Sequence, residues 1–162
     1  PTRRSSDLGS GSSSPMKLPI QSFLQRGSHD CGAACVYMVM RWWNIRTSYE
    51  DVRHGLAVHE LDGASPDMIE AFLRRSGLRV VSGEFSMNDL LAAIKQGRPT
   101  IVPTSEGGGH YMVAHGLVGN TVYLMDPLEG EVTRLRSKFI ASWVDTTRRG
   151  VEYASWAIAA WK

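Results

Sequence analysis

Cysteine is scarce. Among 162 residues only Cys31 and Cys35 carry a thiol. Two thiols do not build a disulfide scaffold, and such usage points to a reducing compartment such as the cytoplasm. An excess of charge of one sign is also missing. Eighteen Lys and Arg stand against 16 Asp and Glu, for a formal charge of +2. That balance argues against nucleic acid as a partner. No run approaches the roughly 18 consecutive apolar residues of a membrane-spanning helix, so no transmembrane segment is expected. A second Cys or His pair at metal-binding spacing is lacking, which leaves His29, Cys31 and Cys35 a poor ligand set. What is present is ordinary for one globular domain with a buried core: 43% hydrophobic and 21% charged residues.

Residues 1–15, PTRRSSDLGSGSSSP, hold one large apolar side chain, Leu8, and are rich in Ser and Gly. They bury too little surface to offset the entropy of ordering, so a disordered tail is expected, followed by one domain over 16–162. An apolar h-region is lacking, so the tail is not a signal peptide. The string PTRRSSDL matches one reading frame of a common sequencing adapter. If that is its origin, the segment is an assembly artefact and the natural protein begins at Met16.

After Met16 the pattern divides into a helical half and a stranded half. Apolar side chains at 31, 34, 35, 38, 39 and 42 predict a helix from near Asp30, capped by Ser28 or Asp30. A short helix follows Ser48, with Asp51 as its capping-box partner. Another begins at Ser65-Pro66 and ends before Gly77, and a fourth begins at Ser86 with Asp89 and ends before Gly97. From Arg98 the period becomes two. Strands are predicted over 99–104, 110–118, 121–125 and 131–136, with Gly119-Asn120 as a turn, a helical connector over 137–144 and a closing strand over 153–161. Helices first and an antiparallel sheet second make an α+β domain.

The chemistry is concentrated around Cys31. It falls in the first turn of an apolar helix, where the partial positive charge of the N-terminus favours thiolate, the nucleophilic form. Gly32 removes a side chain that would crowd an approaching substrate. Gln25, six residues upstream, can offer an amide N–H to an oxyanion beside the Cys31 N–H. A thiol nucleophile needs a base, and the base an orienting group. His110 follows Gly107, Gly108 and Gly109 and opens a strand. Asp126, before Pro127, ends the next strand, so both lie at the open end of one hairpin.

Gln-x5-Cys-Gly opening an apolar helix, a glycine-rich approach to a strand His, and an Asp-Pro sixteen residues on together resemble the cysteine peptidase domain of bacteriocin-exporting ABC transporters and its free-standing relatives. These are family thirty-nine of the cysteine peptidases, with a papain-like fold. The resemblance runs from about Leu18 to Trp161. It implies a catalytic site between the helical half and the sheet, in which Cys31 is the nucleophile, Gln25 the oxyanion donor, His110 the general base and then acid, and Asp126 the group that orients His110. It also implies a peptide substrate cut through an acyl-enzyme, in fused members a leader ending in a double glycine, with no cofactor and no metal. No transmembrane region follows Lys162, so a stand-alone monomeric domain is expected, and any ABC exporter partner would be encoded separately.

Each of these residues also has a plainer reading. Cys31 alone suits a small buried helix residue, and Cys35, one turn on, suits core packing. A bridge between them does not fit a regular helix. His115 is placed on the face of its strand opposite to His110, and His54 and His59 at the surface. The five tryptophans suit packing, and the three glycines suit a loose turn as well as room for a substrate backbone. The loops over 56–64 and 104–109 would line the cleft. Two rival functions use the same residues: another thiol acyl transfer, such as deamidation, or a papain-like module that binds a peptide without cutting it.

Overall fold

The computed structural model describes residues 16–57, 63–146 and 150–162. The predicted tail over 1–15, His59 and much of the predicted cleft loop over 56–64 therefore lie outside the described residues.

The elements run β1 (Met16–Lys17), α1 (Cys31–Trp42), α2 (Tyr49–Gly55), α3 (Pro66–Arg75), β2 (Arg79–Glu84), α4 (Met87–Lys95), β3 (Thr100–Thr104), β4 (His110–Val118), β5 (Thr121–Asp126), β6 (Gly130–Leu135), α5 (Arg136–Ser142), β7 (Val144–Thr146), β8 (Glu152–Ala154) and β9 (Trp156–Trp161). The main sheet is antiparallel, in the order β2-β9-β3-β4-β5-β6, with β1 added against β4. β7 and β8 form a separate ribbon.

Alternation along the strands splits the core in two. Ile101, Val113, Met125 and Ile158 point to one face and meet Cys35, Val36 and Val39 of α1 and Ile69 and Leu73 of α3. Val102, Met112, Ala114 and Leu124 point to the other and meet Leu90 and Ile94 of α4 and Phe139 of α5. Helices thus cover both faces, which is why β3 is buried along its whole length. α1 is the innermost helix. Ala33, Val36 and Met40 are buried beside the predicted stripe, as expected for a helix apolar on most of its circumference.

The N-caps follow local chemistry. Ser48 and Ser65 each accept an N–H three residues on, at 3.0 and 3.2 Å. Ser86 and Asp89 complete a reciprocal capping box. At Ser48 only half of the predicted box forms, since no bond returns from Asp51 to the cap backbone. The strand over 79–84 has no counterpart in the sequence reading. Only Val80 of its six residues is buried, so its pattern is weak, and its partner β9 lies at the far end of the chain. The predicted closing strand is broken at Ser155, whose φ of +51° turns the chain between β8 and β9.

Tryptophans tie the layers. Trp42 Nε1 donates to the Gly97 carbonyl, Trp43 Nε1 to that of Ala160, and Trp143 Nε1 to that of Trp156, at 2.8–3.0 Å. Trp143→Phe deletes a donor and leaves a carbonyl unpaired. A loss of about 1–3 kcal/mol is expected, read as a lower urea midpoint at unchanged m-value.

Candidate active site

Four elements meet at one end of the sheet. Counting back from the Gly119-Asn120 turn, Tyr123 pairs with Gly116, and a regular ladder would then put Leu124 opposite His115 and Asp126 opposite Val113. Instead His115 is bulged out: Leu124 pairs with Ala114 and Met125 with Val113. Asp126 thereby moves to the side of the ladder shared by Met112 and His110, since a one-residue slip exchanges faces. The bulge is held by its own contacts. His115 is buried, its Nδ1 donates to the Leu18 carbonyl at 3.1 Å, and its backbone carbonyl accepts the Leu18 N–H at 2.8 Å. Burial pushes the His115 imidazole below its ordinary pKa, so it sits neutral.

The His110 Nε2 and Asp126 Oδ1 atoms are 2.6 Å apart, with side chains 11% and 6% exposed. The same carboxylate oxygen accepts the Leu128 N–H at 2.8 Å, so the Asp-Pro turn fixes the carboxylate from its own backbone. The Pro127 carbonyl accepts the Gln25 N–H at 2.8 Å, which joins this turn to the loop ahead of α1. With Nε2 facing Asp126, Nδ1 is the ring nitrogen left for a thiol, and Cys31 is near enough to act on the ring. Burial disfavours the imidazolium, but the interactions with Cys31 and Asp126 outweigh it. The His110 pKa rises from 6.5 to about 9.

Cys31 is half-buried at the start of α1. Asp30 occupies the N-cap position, yet its side chain makes no capping bond, and Ser28 Oγ instead meets the His29 ring. Neither predicted cap is realised, and among the described residues no side chain occupies the first-turn N–H groups. The Asp30 carboxylate turns away: its Oδ2 accepts the Gly27 N–H at 3.1 Å and the Tyr49 hydroxyl at 2.8 Å, and lies 2.8 Å from Arg53 Nε. Gln25 lies at the same end, its Nε2 donating to the Gly27 carbonyl at 2.7 Å. Cys35 is fully buried, and burial and the neighbouring Cys31 push its thiol pKa well up.

The glycines divide by role. Gly32 is buried, and a Cβ there would lie 3.3 Å from both Ile69 and Tyr111 and 3.4 Å from Ala64. Its missing side chain makes room for core packing, which corrects the expectation of room for substrate. Gly107, Gly108 and Gly109 have φ of +60°, +86° and +119°, a backbone that side chains resist. Nothing lies within 4 Å of the first two Cβ positions, whereas a Cβ on Gly109 would sit 3.0 Å from Asp145 Oδ1. A bidentate Glu106–Arg134 pair at 3.0 and 2.8 Å anchors this loop. Asp145, Tyr49 and Arg53 drew no notice in the sequence, because their approach to the site is purely tertiary. His54 is exposed as expected. Among the described residues no group of three or more His, Cys, Asp and Glu could hold a metal ion, and no helix is long and apolar enough to cross a membrane.

The family model "Peptidase C39 family" matches residues 20–147. The chain belongs to the Peptidase C39 family. It is accordingly a cysteine-type peptidase. Among solved structures, this C39 domain is similar to a C39-like peptidase from Bacillus anthracis (TM-score 0.76, 15% identity, 91% of this chain and 98% of that one). It is also similar to the double glycine motif protease of an AMS/PCAT transporter solved with its leader peptide (TM-score 0.70, 19% identity, 90% and 96% covered). Among curated proteins, it is 22% identical over 116 residues to the sublancin-168-processing and transport ATP-binding protein SunT of Bacillus subtilis. That match covers 70% of this chain and 16% of SunT.

The elevated His110 pKa has a signed consequence. Stability from the raised imidazole is complete below pH 6.5 and disappears as pH rises through about 9. Asp126→Asn removes part of it. The gap in urea midpoint between wild type and Asp126→Asn is expected to be widest near pH 6 and to close by pH 10.

Proposed function

We propose that this C39 peptidase cleaves a peptide after a double-glycine leader, with Cys31 as nucleophile, His110 as base and acid, Asp126 as its orienting partner and Gln25 as oxyanion donor. The observation that carries the reading is the His110 ring, paired with the Asp126 carboxylate at 2.6 Å and near enough to Cys31, at the start of α1, for that thiol to act on it. Asp126 takes Nε2, which leaves Nδ1 to receive the Cys31 proton. The sulfur attacks the carbonyl carbon of the second glycine, and the oxygen becomes an oxyanion. The first-turn N–H groups, which no cap side chain occupies, and the second N–H of Gln25 are the donors available to it. The imidazolium returns the proton to the leaving amine as the C–N bond breaks. Water, deprotonated by His110, then releases the acyl group and restores the thiol. No cofactor enters any step.

The double-glycine leader is proposed from likeness to the transporter protease, and the processing of an exported peptide from likeness to SunT. An ABC exporter is the partner that suits such a substrate, and the cytoplasm suits two unbridged thiols.

Incubation with a synthetic leader–cargo peptide, read by mass spectrometry, is expected to show one cut after the second glycine. Cys31→Ala should abolish cleavage and Cys35→Ala should leave most of it, while Gln25→Ala should lose on the order of a hundredfold or more in rate. A fully active Cys31→Ala enzyme would sink the reading, and a product one mass unit heavier than an intact glutamine peptide would favour deamidation. Iodoacetamide should label Cys31 well ahead of the buried Cys35; equal, sluggish labelling would favour a binding module.

A further inference from the structure

The loop over 25–30 has a feature that the triad does not use. Asp30, next to the nucleophile, is 2% exposed and carries a carboxylate. Two donors converge on its Oδ2, the Gly27 N–H and the Tyr49 hydroxyl, and the Arg53 guanidinium forms an ion pair with it, Nε lying 2.8 Å away. Tyr49 and Arg53 both belong to α2, so the carboxylate ties the loop to a neighbouring helix. Burial and the bond to Asp30 push the Tyr49 phenol pKa up, which keeps its hydroxyl a donor.

Gly27 is gripped from both ends. Its N–H goes to Asp30, and its carbonyl accepts Gln25 Nε2 at 2.7 Å. A Cβ on Gly27 would lie 3.0 Å from Asp30 Oδ2 and 3.2 Å from Oδ1, so the backbone approaches the carboxylate more closely than most side chains allow. Gln25 Oε1 is buried with no hydrogen-bond partner among the described residues. The Gly27 carbonyl is therefore the group that sets the plane of the Gln25 carboxamide, and with it the direction of the second N–H.

We infer that Asp30 is a positioning residue: through Gly27, its carboxylate aims the Gln25 carboxamide at the site where the oxyanion forms. This rests on the proposed role of Gln25, and it adds a link running from α2 through Asp30 and Gly27 to that donor. A free glutamine side chain would lose rotamer entropy each time it met the transition state, whereas an aimed one has lost it already.

The test uses the whole chain labelled with nitrogen-15, with the Gln25 side-chain NH₂ pair assigned by its loss in Gln25→Ala. In wild type the pair should be well dispersed. In Asp30→Ala it should move to the position of a freely rotating carboxamide, with Asp30→Asn between the two, since Asn keeps an acceptor oxygen. Iodoacetamide labelling of Cys31 should stay at the wild-type rate. With the leader–cargo peptide, Asp30→Ala should lower kcat on the order of tenfold to a hundredfold, with KM within about twofold. The double variant Asp30→Ala/Gln25→Ala should be no slower than Gln25→Ala. Where Asp30→Ala does not fold, Gly27→Ala presses on the same link from its other side and should move the same NH₂ pair. An NH₂ pair that stays in place in the folded variants, or losses that multiply in the double variant, would overturn the inference. A moved NH₂ pair together with full activity in Gln25→Ala would uphold the positioning and overturn the oxyanion role instead.

Discussion

One extra residue in a strand decides whether this protein has a paired histidine. β4 and β5 join through a tight turn, and a regular ladder from that turn would carry Asp126 to the side away from His110. The bulge at His115 removes that mismatch. Its cost is an interrupted ladder and a buried imidazole, offset by the bonds between His115 and Leu18. The N-terminal segment that supplies Leu18 thus helps to set register a hundred residues away. With the register set, the 2.6 Å His110–Asp126 contact follows, and beside Cys31 it adds to the raised pKa of the ring.

The Asp126-Pro127 turn then does three things within three residues. Its carboxylate meets His110, the same oxygen takes the Leu128 N–H, and its proline carbonyl takes the Gln25 N–H. Loop 25–30 is thereby bound to the sheet at one end and, through Asp30, to α2 at the other. Such a frame suits chemistry that needs several groups held in fixed relation, because loop ordering is complete before a substrate arrives.

The start of α1 shows the same economy. A conventional cap would occupy a first-turn N–H, but here the cap-position carboxylate is used elsewhere. The glycine after Cys31 admits Ile69, Tyr111 and Ala64 to close packing, so α1 can lie against α3 and β4 with Cys31 at the rim. The same residue type does different work in loop 107–109, where positive φ angles are required and space lies open above two of the three glycines.

The sequence by itself determined most of the local structure: helices began where Ser48, Ser65 and Ser86 offered a cap, and the hairpin turned at Gly119-Asn120. It also offered Cys31, His110, Asp126 and Gln25 as one candidate set, through residue type, order and the family resemblance that they carry. What local signals did not carry was left to tertiary structure. Strand 79–84 has a single buried residue and finds its partner at the chain's end. The bulge needs Leu18 to hold it, Asp30 turns from a local cap to α2, and Gly32 answers to Ile69 and Tyr111. In each case the deciding neighbour is distant in the chain, so the free energy that selects the arrangement arises only once the layers pack.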